Sequence, residues 1–344
     1  MSTHRNVSSE SADIITLTRH VISEQMKAKE ATGDLTLLLT AIQMGCKFVA
    51  SRVKQAALIN LLGLAGATNV QGEDVKKLDV LANEILINAL VASGKTAVLV
   101  SEEDEQAIMI EEEGLRGKYC VVFDPLDGSS NIDCGVSVGT IFGIYKVKEG
   151  SSGSISDVLR PGTEMVAAGY CMYGSYCEII LTIGNGVNGF TLDPALGEFI
   201  LTHPNIQIPA RGKIYSINEG NAKYWEEPVK HYIESLKFPK DEKKSPYSAR
   251  YVGSMVADIH RTILYGGIFG YPSDKKSKKG KLRVLYEVFP MSMIVEHAGG
   301  KASTGTKRAL EIVPQGIHDR SGVWLGSKDD VEDLEGYYKQ YGSQ

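Results

Sequence analysis

The chain predicts an α/β fold, and three patterns carry that expectation. Residues 96–100 and 119–123 are short, valine-rich apolar runs of the kind found in strands buried on both faces. Over residues 16–52 and 74–92 the apolar residues recur instead at helical spacing. Further strand-like runs at 138–147, 165–172, 178–183 and 189–192 are separated by glycine- and serine-rich turns.

Taken in order, residues 16–52 form two helices, broken at Ala31-Thr32-Gly33-Asp34, where Asp34 can cap the second. Residues 63–72 are glycine-rich without periodicity and read as a mobile loop. The helix over 74–92 would bury Leu78, Leu81, Ile85, Leu86 and Ala89. If the strands at 96–100 and 119–123 lie parallel, their carboxyl ends deliver Glu102, Glu103, Asp124 and Asp127 to one sheet edge, where open α/β sheets bind ligands. A composition shift at 203–212 divides the chain into domains over 1–205 and 206–344. The second half reads as a strand at 213–217, helices at 228–236 and 255–265, a strand at 282–286 and a helix at 290–298. That last helix is opened by Pro290 and stopped by Gly299-Gly300.

With 344 residues, 43% hydrophobic and 23% charged, the chain fits a globular protein with a sizeable core and excludes a disordered class. A net charge of -5 argues against general attraction to nucleic acid or anionic membrane. The polar first ten residues lack a signal-peptide core and no run reaches bilayer length, so a cytoplasmic protein is expected. The five cysteines form no Cys-x-x-Cys pair and read as buried free thiols, with Cys171 and Cys177 close enough in sequence to raise a redox role.

Two motifs are decoys. Ser93-Gly94-Lys95-Thr96 looks like the end of a P-loop, but Ala89 stands at the leading glycine and the order is helix to strand. Residues 184–189 match G-x-G-x-x-G, yet Phe190-Thr191-Leu192-Asp193-Pro194 follows as strand and turn, so a hairpin is expected.

The segment Asp124-Pro125-Leu126-Asp127-Gly128-Ser129-Ser130-Asn131 is different in kind. Two carboxylates three residues apart, stiffened by Pro125, suit a hard divalent cation. Gly128 then permits close backbone approach, and Ser129, Ser130 and Asn131 offer donors to a phosphate. An ordinary Asp-Gly turn is the plain alternative. Asp79, Glu102, Glu103 and Glu287 weaken it, because so many acids converging on one pocket require a counter-charge such as Mg²⁺. In the basic run over 275–283, the first four lysines read as a solvated loop. Lys281 and Arg283 alternate with Leu282 on a strand aimed at the acids and are candidate phosphate ligands. Asn218, Arg250, Tyr251 and Tyr271 could complete a second anion site.

These segments, with Lys76-Lys77-Leu78-Asp79-Val80-Leu81, Val100-Ser101-Glu102-Glu103-Asp104, Asn218-Glu219-Gly220, the run over 250–258 and Gly280-Lys281-Leu282-Arg283, resemble fructose-1,6-bisphosphatases, the plant cytosolic type above all, over nearly the whole chain. The resemblance implies a layered α-β-α-β-α sugar phosphatase fold and a homotetramer. The implied activity, in gluconeogenesis and sucrose synthesis, is hydrolysis of the 1-phosphate of fructose 1,6-bisphosphate. A sedoheptulose bisphosphatase or an inositol-type phosphatase is the enzymatic alternative; a nucleotide- or nucleic-acid-binding regulator is the non-enzymatic one.

By the same resemblance, Glu73, Glu102, Asp124, the Leu126 carbonyl, Asp127 and Glu287 would hold two to three Mg²⁺ per subunit, with Mn²⁺ as an alternative. Asp79 and Glu103 would activate water. Asp127, Gly128, Ser129 and Ser130 would meet the 1-phosphate, while Asn218, Tyr251, Tyr271, Lys281 and Arg283 would hold the sugar and 6-phosphate, with Arg250 lent across a subunit interface. An AMP site would map to Thr32, Gly33, Asp34, Thr36, Lys118, Tyr119 and Lys146, and fructose 2,6-bisphosphate would be a second inhibitor. Lys146, Glu73 and Asn221 stand where animal members carry Arg, Asp and Tyr, and the thiol-bearing insertion of chloroplast forms is missing between Glu149 and Leu159.

Overall fold

The computed structural model describes residues 14–342, apart from 57, 59, 60, 62, 69–73, 113 and 242. Helix and sheet alternate in five layers. Helices Leu17–Lys27, Asp34–Gln55 and Lys77–Ala92 cover one face of an eight-stranded sheet. Helices Met255–Tyr265 and Phe289–His297 fill the space between that sheet and a five-stranded one, whose far face carries helices Glu227–Lys237 and Lys328–Tyr341. The expected α-β-α-β-α layering is therefore present.

In the large sheet the strands run, from one edge, Glu198–His203, Asn188–Asp193, Cys177–Thr182, Met165–Tyr173, Val138–Lys146, Tyr119–Asp127, Thr96–Ser101 and Ile108–Met109. Neighbours are antiparallel except Thr96–Ser101 and Tyr119–Asp127, which are parallel as expected. Both faces of this pair are buried. Val98, Val100, Cys120 and Val122 face the inter-sheet core, while Leu99, Val121 and Phe123 face the outer helices. Period-two alternation with an apolar layer on each side produces the continuous valine-rich runs. The G-x-G-x-x-G segment is the expected hairpin, joining the antiparallel strands Cys177–Thr182 and Asn188–Asp193. Cys46, Cys120, Cys171 and Cys177 are buried free thiols and Cys134 is exposed; the Cys171 and Cys177 sulfurs lie 3.5 Å apart.

The structure departs from the sequence reading in several places. Part of the expected loop at 63–72 is the strand Leu64–Thr68, antiparallel to Asp74–Lys76, so the next helix starts at Lys77 rather than 74. The small residues of Leu64-Ala65-Gly66-Ala67-Thr68 leave no apolar alternation to read. That helix buries Leu78, Asp79, Ala82, Asn83, Leu86 and Leu90, whereas Leu81, Ile85 and Ala89 are only half-buried. Packing between a neighbouring helix and the sheet turns Asp79 and Asn83 inward, which an apolar count places on the wrong face. The strand expected over 282–286 ends at Arg283, and Val284–Val288 winds into a π-helical turn. Every residue of that turn is buried, so its apolar run carries no periodic signal to separate strand from helix. The strands Glu198–His203, Ile268–Tyr271, Lys301–Ser303 and Val323–Gly326 and the final helix Lys328–Tyr341 were not anticipated.

Candidate active site

Parallel pairing sets the site. Glu102 directly follows Thr96–Ser101, its amide donating to the Phe123 carbonyl at 3.1 Å, and Asp124 to Asp127 end the adjacent strand. The register against Val138–Lys146 slips between Asp124 and Asp127, the position at which Pro125 lacks an N–H for the ladder. The Pro125 carbonyl is taken instead by the Thr140 hydroxyl at 2.8 Å, and the Leu126 amide donates to the Asp124 carboxylate at 2.9 Å. Gly128 follows at φ 76, and a Cβ there would meet Ser254 at 2.9 Å, so glycine is required twice over.

Glu287 arrives from the π-helical turn, where its carboxylate accepts the Arg283 amide at 2.6 Å. Asp124, Asp127 and Glu287 are buried, and one carboxylate oxygen from each lies within 4.8 Å of the others. Burial, reinforced by the charges of Glu102, Asp127 and Glu287, holds the Asp124 carboxyl well above the ordinary range. Burial likewise lifts Asp127 to about 7, against the pull of the Val256 amide, and Glu287 to about 8, against Arg283. Asp79 is pushed up to about 6 by burial, and its Oδ1 is buried without a hydrogen-bond partner while Oδ2 accepts the Lys76 amide at 2.9 Å. Hard oxygens, crowding and unmet negative charge are the donor set that a divalent cation needs.

A cavity of about 230 Å³ opens above this cluster. Its lining brings Glu102, Asp124, Leu126, Asp127, Gly128, Ser129, Ser130 and Glu287 together with Asn218, Tyr251, Tyr271 and Lys281. Arg283 lies in the same cavity, but its guanidinium is turned to Glu102 at 2.9 Å and Glu287 at 3.8 Å. It serves as an internal counter-charge to the acids, because the chain turns at Val284 and holds it beneath them. Asp79, Glu103 and Arg250 stand outside the lining. Glu103 is half-buried with its amide on the Ser101 hydroxyl at 3.2 Å, and Arg250 is exposed, donating to the Ala249 carbonyl at 2.7 Å. Glu73 lies outside the described residues.

Sequence reasoning missed Gly253, Met255, Asp258, Phe269 and Leu282 as lining. The first three sit at the start of Met255–Tyr265, whose Val256 amide donates to Asp127 at 2.9 Å, and the Asn131 amide holds the Gly253 carbonyl at 3.1 Å. Only Gly253-Ser254, a turn before an apolar helix, signals this in the sequence.

At the far end of the sheet, the AMP candidates gather. Asp34 pairs with Lys95 and Lys118, each at 2.9 Å, and accepts from the Thr32 hydroxyl at 2.7 Å. These partners, Lys95 first, hold its carboxyl well below the usual range. Gly33 caps the Asp34–Gln55 helix at φ 85, the Thr36 hydroxyl donates to Gln25 at 2.5 Å, and Tyr119 is in register with the exposed Lys146.

Residues 15–204 match the family model "Fructose-1-6-bisphosphatase, N-terminal domain" and residues 208–339 its C-terminal counterpart. The cytosolic fructose-1,6-bisphosphatases of Oryza sativa subsp. indica and Spinacia oleracea are each 65% identical over 326 residues. Those 326 residues are 95% of this chain, 96% of the rice protein and 95% of the spinach protein. A crystal structure of Leishmania major fructose-1,6-bisphosphatase in holo form superposes with a TM-score of 0.90 at 46% identity, covering 95% of this chain and 99% of that one. A chain matched by both domain models across one cavity, and this similar to such relatives, belongs to the fructose-1,6-bisphosphatase family.

Proposed function

We propose that the protein hydrolyses the 1-phosphate of D-fructose 1,6-bisphosphate to fructose 6-phosphate and phosphate, acting in the cytosol in gluconeogenesis and sucrose synthesis. One observation carries this reading: the acid cluster and Asn218, Tyr251, Tyr271 and Lys281 line a single cavity, offering places for two anionic groups. Relatives named cytosolic fructose-1,6-bisphosphatase support the substrate over a seven-carbon bisphosphate or an inositol phosphate.

Glu102, Asp124, the Leu126 carbonyl, Asp127 and Glu287 are the residues that would hold Mg²⁺ or Mn²⁺, two to three ions per subunit. When bound, the ions supply charge neutralisation to a phosphoryl group and acidity to water. Asp79 and Glu103, which stand outside the lining of the cavity, would orient the attacking water, and the Asp79 carboxyl, raised to about 6 by burial, would take its proton. Gly128, Ser129 and Ser130 hold the reacting phosphate with backbone N–H and hydroxyl donors. Asn218, Tyr251, Tyr271 and Lys281 hold the remote phosphate and sugar, so that binding at one end orients the other. Arg283 keeps Glu102 and Glu287 in place.

The domains over 1–205 and 206–344 divide the labour, the AMP site and most of the acids in the first, Glu287 and the remote-phosphate residues in the second. A homotetramer accounts for Arg250 pointing out of its own cavity, with Tyr251 and Val252 partly exposed beside it. AMP would compete with Asp34 for Lys118, and fructose 2,6-bisphosphate would enter the substrate cavity. Among the described residues no helix is long and apolar enough to cross a membrane. Lys275, Lys276, Lys278 and Lys279 are exposed on a loop organised by Asp274, which accepts the Lys276 and Ser277 amides at 2.8 and 2.7 Å, and a nucleic-acid role finds no support beyond them. The substrate assignment is tested by comparing kcat/KM for fructose 1,6-bisphosphate, sedoheptulose 1,7-bisphosphate and an inositol monophosphate; a higher value for either rival overturns it.

A further inference from the structure

The turn that brings Tyr251 into the cavity is exposed from Arg250 to Gly253, Gly253 adopts φ 85, and beyond the Arg250 amide on the Tyr215 carbonyl at 3.0 Å and the Asn131 amide on the Gly253 carbonyl at 3.1 Å it needs further anchoring. That anchoring comes at both ends from one ion pair whose acid is buried and whose base is half-buried. Asp258, fully buried in the first turn of Met255–Tyr265, accepts the Val252 amide with both oxygens at 3.1 and 3.0 Å and the Gly253 amide at 3.0 Å. Arg261, one helical turn later, pairs with Asp258 at 2.7 Å, and the same guanidinium nitrogen donates to the Arg250 carbonyl at 2.9 Å. The carbonyl before Tyr251 and the two amides after it are thus held by a single acid–base pair at i and i+3. This spacing puts the two side chains on one face of the helix. Charge-assisted bonds of this kind are shorter and stronger than neutral ones, and burial preserves them from screening.

We infer that Asp258 and Arg261 are a positioning pair for substrate selectivity, fixing the Arg250–Gly253 turn so that Tyr251 meets the remote phosphate. The inference rests on the reading of Tyr251 and Lys281 as remote-phosphate ligands. Neither residue of the pair accepts or donates to the reacting group; their action passes through the backbone of the turn. The helix that bears them is capped at its other N-terminal contact by Asp127, so its own placement does not depend on the pair alone. Loss of the Arg261 arm therefore loosens the turn and spares the acid cluster, whereas Asp258 also lines the cavity beside Asp127.

The test uses the full chain with saturating Mg²⁺ and two substrates, fructose 1,6-bisphosphate and fructose 1-phosphate, the latter lacking the remote phosphate. Asp258→Asn and Arg261→Gln are expected to raise KM for the bisphosphate about tenfold and to lower kcat/KM for the monophosphate less than about threefold. The double variant should be no worse than the harsher single one, because both remove the same clamp. Should Asp258→Asn fail to fold, Arg261→Gln, whose side chain is 18% exposed, carries the same test. Equal losses on both substrates make the pair merely structural and overturn the inference, as does an unchanged KM. Lys281→Ala is the control: selectivity lost there but kept in the pair variants overturns the clamp alone. No selectivity change in Lys281→Ala overturns the remote-phosphate reading and the clamp with it.

Discussion

At its carboxyl end the strand Tyr119–Asp127 delivers Asp124 and Asp127 into a crowd of acids, while at its amino end Tyr119 lies near an Asp34 flanked by two lysines. The same residue type is pushed in opposite directions. Burial and like charge raise the carboxyls at one end, and ion pairing with Lys95 and Lys118 lowers the one at the other. Among the described residues, buried Glu102, Asp124, Asp127 and Glu287 crowd together while Arg283 pairs with Glu102 and Glu287, an excess of acid that suits a cation. The two lysines of the amino end share one carboxylate, so an anion arriving there must compete with Asp34 for them.

Four measurements would break or sharpen this contrast. Asp124→Asn should lower kcat by at least about three orders of magnitude, at or above the scale for removing one charge-stabilising group. Near-normal turnover would remove the cluster from the chemistry. Metal removal comes next: EDTA should abolish phosphate release, and added Mg²⁺ restore it. Its stability signature has a definite sign. Asp79, Asp127 and Glu287 have ordinary values near 4 and folded values of about 6, 7 and 8. The metal-free fold therefore holds protons that the unfolded chain has released. Its stability from these groups is full below about pH 4 and is lost as pH rises through about 6 to 8. Calorimetry in EDTA should show Tm falling over that window, with Mg²⁺ at about 100 times its Kd adding about 2.7 kcal/mol at pH 8. A flat profile in EDTA would mean the acids are balanced after all.

Lys281→Ala should raise KM for the bisphosphate about tenfold with kcat nearly kept, since it removes the handle and leaves the acids alone. The smallest effect is at the amino end. Lys118, 60% exposed in its pair with Asp34, should cost less than about 1 kcal/mol when replaced by Ala. Lys118→Ala should weaken AMP inhibition while kcat/KM without AMP stays put; unchanged inhibition would take Lys118 out of that site.

Much of this was legible in the chain itself. Valine-rich runs ending in acids are local patterns, so the parallel pair and the acids at its carboxyl end were readable from residues close in sequence. The hairpin at the G-x-G-x-x-G segment was readable for the same reason. Tertiary structure alone decided what depends on distant partners. Asp79 is buried because the Lys77–Ala92 helix is covered from two sides, Arg283 serves the acids because a π-helical turn follows it, and Asp258 reaches the cavity because the Val256 amide at the start of its helix docks on Asp127. Periodicity reports which face of an element is apolar. It is silent where every face is buried, and a carboxylate's charge state depends on neighbours that only the fold supplies.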